Sequence, residues 1–121
     1  VQFQQFYPAS QSIASGTKIF AYVADDPDTL FQVVSCSGTT VVAAMGIAAI
    51  GANIALIQNA GSTTTGNSAV AIDEGTETTT NTLPIRIIDV VRETATGADA
   101  FVEFIVKINA TMHQYNNSTG V

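Results

Sequence analysis

The chain has 121 residues, enough for one domain that buries roughly two thirds of its extended surface without a disulfide or metal. Its formal net charge is −6, and its four cations, Lys18, Arg86, Arg92 and Lys107, are scattered along the sequence. That excludes a phosphate-gripping nucleic-acid binder and speaks against an anionic membrane surface. Hydrophobic residues make up 46% and charged residues 12%, against about a quarter charged in an ordinary domain. Two readings of so ion-poor a surface stand: other subunits cover part of it, or Thr, Ser and Asn keep it wet.

The opening VQFQQFYP has no basic-then-apolar signal pattern, and Val1 is not an initiator, so a stretch upstream of it is expected. Phe3, Phe6 and Tyr7 put three aromatics among three glutamines before Pro8. Termini stay loose unless tied down. This one either docks on its own core as an edge strand or packs on a neighbouring chain. Residues 1–16 are thus set apart as an N-terminal arm, and residues 17–121 as the β domain.

Residues 17–24, TKIFAYVA, alternate Ile19, Ala21 and Val23 against Lys18, Phe20 and Tyr22, which predicts a strand. Asp25-Asp26-Pro27-Asp28 ends it, because proline fixes φ and aspartates bond nearby amides. Residues 30–36, LFQVVSC, predict the next strand, and the two would make a hairpin about the acidic turn.

No charged residue occurs from Ser37 to Ile72. Within that stretch, residues 40–57 are nearly continuous apolar sequence. A membrane-spanning helix needs about 20 such residues with anchoring flanks. This run has Gly46, Gly51 and Asn53 inside and no flanking cation. A single buried helix is weakened by each glycine, by about 1 kcal/mol. The preferred reading is a short helical turn over 40–45 capped by Thr39 or Thr40, a glycine-broken bend, and a strand over 53–58. Residues 59–67 predict a loop, 68–73 a short strand and 74–81 an exposed loop.

The organising stretch is residues 82–109. Ile85, Ile87, Ile88, Val90 and Val91 load one arm with β-branched residues. In the second arm Val102, Phe104, Val106 and Ile108 alternate with Glu103, Ile105 and Lys107. The loop between them, TATGAD at 94–99, offers Gly97 for positive φ. The chain then ends in small polar residues. The expected fold class is mainly β: a single compact β-sandwich or β-barrel-like domain with one short helix.

Candidate chemistry is thin. Asp25, Asp26 and Asp28 are the densest charge cluster, yet Pro27 interrupts them and no calcium-loop spacing follows. One histidine, His113, and one cysteine, Cys36, cannot supply a zinc site. A Cys36–His113 nucleophilic pair is imaginable, but a thiol inside a β-branched strand is usually buried and inert. No nucleophile elbow or phosphate-cradling loop occurs. Glycosylation sequons at Asn109, Asn116 and Asn117 matter only on a secretory route. No catalytic residue, metal ligand or cofactor site is expected, and the chain is read as a non-enzyme.

Three blocks resemble the decoration, or cement, proteins of tailed bacteriophages. They are VADDPDTLFQV at 23–33, LPIRIIDVV at 83–91, and IVKIN at 105–109 followed by His113-x-Tyr115 and a terminal Thr119-Gly120-Val121. The resemblance implies a β-rich virion protein on the outer capsid surface that binds the major capsid protein as a homotrimer and braces the DNA-filled head. It implies no enzyme activity, cofactor, nucleic acid or membrane partner. Members of that family begin with a further segment rich in Gly and Pro. Phe3, Phe6 and Tyr7 are the expected protein contacts, with His113, Gln114 and Tyr115 as a second set near the chain end. The alternative is a self-assembling fibre- or pilin-like subunit whose N-terminal arm donates a strand to the next copy. A sugar-binding sandwich is the third reading, disfavoured by the absence of Trp.

Overall fold

The computed structural model describes residues 5–7, 12–38, 45–95, 101–113, 116 and 119. Six strands form one sheet: β1 Phe31–Cys36, β2 Asn53–Ile54, β3 Leu56–Asn59, β4 Ala69–Asp73, β5 Ile85–Val90 and β6 Glu103–Ile108. Their order across the sheet is β2-β5-β6-β1-β4-β3. The two outer members, β2 and β3, are neighbours in sequence, separated only by Ala55. One stretch of chain thus pairs with β5 at its start and β4 at its end, and the sheet nearly closes into a barrel. Closure removes the raw edges that a flat sheet must defend. Ala55 is held at the junction: its N–H donates to Thr76 Oγ1 at 3.0 Å, and its carbonyl accepts from Asp73 N at 3.0 Å.

β5 and β6 are the antiparallel pair expected from residues 82–109. Val102, Phe104 and Val106 point inward and are buried, as the alternation predicts, while Ile108, expected with them, is only half-buried. The facing strand needs a correction to simple alternation. Ile85 and Ile87 are buried, and strict period two would send Asp89 inward next. The register shifts between Ile87 and Asp89, so Ile88 is an extra residue in the ladder. Asp89 therefore stays outside, its carboxylate accepting from Val90 N at 2.8 Å, and Val90 enters the core. Without that bulge a carboxylate would replace a valine among apolar neighbours.

The core also takes Ile54 from β2, Ile72 from β4, and Met45 and Ala49 from the segment before β2. Fully burying each large aliphatic or aromatic side chain is worth about 1.5–3 kcal/mol. Gly51, at φ +91°, makes the bend that delivers the chain to β2, and its N–H donates to Ile87 O at 2.9 Å. Ser35, fully buried, donates its hydroxyl to Val102 O at 3.1 Å, so no polar atom there goes unmatched.

Two sequence expectations are corrected. Residues 17–24 form no strand and are exposed throughout. Their alternation is real, but both faces carry apolar side chains, so neither face is uniquely the buried one. β1 is not their hairpin partner: it pairs antiparallel with β6 over Phe31–Val34 and parallel with β4 at Ser35 and Cys36. The helical turn over 40–45 falls mostly outside the described residues, and Met45 is not helical. The helical content among the described residues is all 3-10: the turns Ile47–Ala49, Glu74–Thr76 and Arg92–Thr94, and Asn116. The loop over 74–81 is exposed over most of its length, as expected, and carries internal order. Asp73 caps the Glu74–Thr76 turn, and Thr78 bridges to Asn53 beyond it. Gly97 lies outside the described residues. No described helix is long and apolar enough to cross a membrane.

Candidate interaction surface

Large apolar side chains left in water usually mark a contact surface when they cluster. Six of them fall in one stretch, residues 12–30, ahead of the barrel, while others, among them Ile47, Leu56, Phe101 and Met112, are spread over the rest of the chain. Phe20, Tyr22 and Val23 are 76%, 89% and 78% exposed, and Ile13, Ile19 and Leu30 are exposed with them. The stretch is punctuated by two turns. Thr17 N donates to Ala14 O at 3.0 Å. At the acidic turn Asp26 accepts Asp28 N on its side chain at 2.8 Å and Thr29 N on its carbonyl at 3.1 Å. Asp28 then reaches Lys107 on β6 at 3.2 Å, which ties the end of the arm to the barrel wall. The acidic triplet is thus occupied as a turn and a tether. Among the described residues no three His, Cys, Asp or Glu side chains gather as a metal site.

The predicted contact residues fall in different places. Phe6 and Tyr7 are both exposed, and neither lies in a strand. Gln5 donates its amide to Asn67 Oδ1 at 3.2 Å, and a Cβ built on Gly66 would lie 3.0 Å from the Phe6 ring. Residues 5–6 therefore rest on the chain's own 62–67 loop, whose Gly66 sits at φ +73°. Phe3, Gln114 and Tyr115 lie outside the described residues. His113 is 6% exposed, on the turn after β6, with its N–H donating to Asn109 O at 3.2 Å. The residue is largely covered by its own chain.

Cys36 is buried; its thiol bonds to Gly38 O and receives the Asn59 amide, and His113 is not among its partners. The structure does not assemble a Cys–His pair. The sequon at Asn109 is also used internally. Its side-chain amide donates to Asn81 O at 3.1 Å and Leu83 O at 2.9 Å, and the residue is buried.

A second surface feature escaped the sequence reading. Arg86 on β5 and Lys107 on β6 are direct cross-strand partners, so two of the four cations sit side by side. They line a cleft of about 470 Å³ with Asn81, Ile88, Asn109 and Thr111. Arg86 donates its Nε to Asn53 Oδ1 at 3.0 Å, and buried Asn53 is fixed in turn by donating to Thr80 O at 2.9 Å. The available signal was a lone cation in each apolar strand, LPIRII and IVKIN. Only the register of β5 against β6 shows that they meet. Compared with family models, curated proteins and solved structures, the chain matches none of them.

Proposed function

We propose that this chain is a virion structural protein, a decoration or cement protein. It binds the outer surface of the major capsid protein shell of a tailed bacteriophage and stabilises the DNA-filled head. The observation that carries the reading is the split between a self-sufficient barrel and an exposed apolar arm over residues 12–30. Six exposed apolar side chains on that one stretch offer area to another protein surface. The sequence blocks at 23–33, 83–91 and 105–121 supply the particular partner by resemblance. The acidic balance keeps the protein off the genome. A homotrimer would place three arms on the shell together, and linked weak contacts gain by effective concentration.

The fibre- or pilin-like alternative relies on an incomplete fold that needs a strand from the next copy. Here residues 53–59 bring both outer strands of the sheet together within the same chain and nearly close it, which favours the decoration reading. The test uses heads stripped of this protein, then heated or osmotically shocked after adding it back. Restored survival with the intact protein, and not with Phe20→Ser/Val23→Ser, is the expected result. Survival unchanged by the intact protein would overturn the role. Open filaments of the purified protein under the electron microscope would instead support the alternative.

A further inference from the structure

From the Arg86–Lys107 cleft, we infer that this chain carries a receptor site for a carboxylate side chain of a partner protein, gripped by the Arg86 guanidinium. The inference does not depend on the partner being a capsid shell. Like charges placed directly opposite on neighbouring strands repel. In a chain of net charge −6, there is ample acid to separate or neutralise them, yet only one of the two is matched. Lys107 holds Asp28 at 3.2 Å. Arg86 has a single hydrogen bond among the described residues, from Nε to Asn53, and no carboxylate partner.

That single bond orients the group. Asn53 is 1% exposed, anchored through its own amide to Thr80 O and through its backbone to Thr78. The Nε edge of the guanidinium is therefore fixed to a rigid element. Its terminal nitrogens remain available in a planar fork that matches a carboxylate in two-point contact. Preorganisation of this kind lowers the ordering cost of binding. Asp28 at the same wall demonstrates the chemistry: an aspartate already docks on the neighbouring cation.

The lining selects among anions. Ile88, Ile108 and Ala110 give the cleft an apolar side, which suits the methylenes of Glu or the Cβ of Asp. The Asn109 amide is already spent on Asn81 O and Leu83 O, so the site lacks the ring of extra donors that a phosphate dianion needs. The general field of the protein repels polyanions, whereas one carboxylate reaching the cationic pair meets local attraction.

The test is a side-chain and backbone nitrogen–proton NMR titration with the blocked tripeptide acetyl-Gly-Glu-Gly-amide. Its Gln counterpart and inorganic phosphate at matched ionic strength are the comparison arms. The Glu peptide is expected to shift the Arg86 Nε–H and the amides of residues 107–111 in a saturable way. Affinity should fall about tenfold in Arg86→Gln and less in Arg86→Lys, which keeps the charge without the fork. Arg92→Gln, outside the cleft, should leave it unchanged. Equal shifts with the Gln peptide, tighter binding of phosphate than of the Glu peptide, or unaltered affinity in both Arg86 variants would each overturn the site.

Discussion

The barrel and the arm are made from similar residues and treat them in opposite ways. Phe104 on β6 is fully buried, while Phe20 in the arm is 76% exposed. Val102 is 2% exposed and Val23 is 78% exposed. Composition cannot separate these pairs; pairing partners do. Every strand of the barrel finds a neighbour on the sheet, and the run from Asn53 to Asn59 supplies both outer members and narrows the last opening. Once the sheet has nearly closed, a further β-compatible segment has little edge to join within its own molecule. An apolar segment excluded from its own core is then kept for a surface elsewhere, or it is an aggregation hazard.

The comparison breaks hardest at the core. Phe104→Ala removes a ring that is wholly inside the barrel, and it should lower unfolding free energy by about 3–5 kcal/mol. Urea denaturation followed by far-ultraviolet dichroism reads the loss as a lower midpoint with similar slope. A loss of less than about 1 kcal/mol would mean that β6 is not the centre of the fold.

Next in size is Asn53→Ala. The Asn53 side chain joins β2 to the Thr80 carbonyl and to Arg86, its cross-strand partner on β5. Its removal leaves two polar groups without their partner and should cost about 1–3 kcal/mol. Hydrogen exchange should locate the effect: amides of β2 and the Thr78 bridge should lose protection more than those of β1 and β6. An even loss across all strands would show that the β2–β5 pair has no stability of its own.

What could be read from the sequence was the part with a single clear period. Alternation in residues 102–106 assigned the inward face of β6 correctly, and β-branched loading marked β5. Strands expected at 30–36, 53–58 and 68–73, from short apolar runs between turn residues, match β1, β2 with β3, and β4, although Ala55 splits the middle one in two. Long-range pairing was not. The parallel contact of β1 with β4 joins Ser35 to Ile72, and nothing local encodes it. The bulge at Ile88 was equally hidden, because five β-branched residues within seven fit either face. Residues 17–24 misled for the opposite reason: a good strand pattern has no partner of its own to show. For the cleft, Arg86 and Lys107 were visible as isolated cations, but their adjacency exists only in the register.

A smaller effect is expected at the tether between the two regions. Asp28 is 84% exposed on its side chain and Lys107 is 28% exposed, so water screens the pair. Lys107→Gln should change stability by less than about 1 kcal/mol. Its consequence lies in the arm, which loses its grip on the β6 wall. Limited proteolysis near residues 25–30 should speed up in the variant while the barrel's urea midpoint barely moves. Proteolysis at the wild-type rate would mean that the Asp26 turn alone holds the arm in place.

The smallest change in stability belongs to the arm itself. Phe20→Ser/Val23→Ser replaces two side chains that are each more than three-quarters exposed. They contribute little to folding because the water they meet in the folded chain differs little from the water they meet when unfolded. The unfolding free energy should stay within about 0.5 kcal/mol of the parent. Binding should respond in the opposite proportion, because these are the side chains with the most apolar surface left to bury against another protein. Co-sedimentation with stripped heads should therefore drop sharply for a variant whose melting curve overlays the parent's. If instead the variant melts markedly lower, the arm is part of the core after all. The contrast between a closed barrel and an excluded segment would then fail at its foundation.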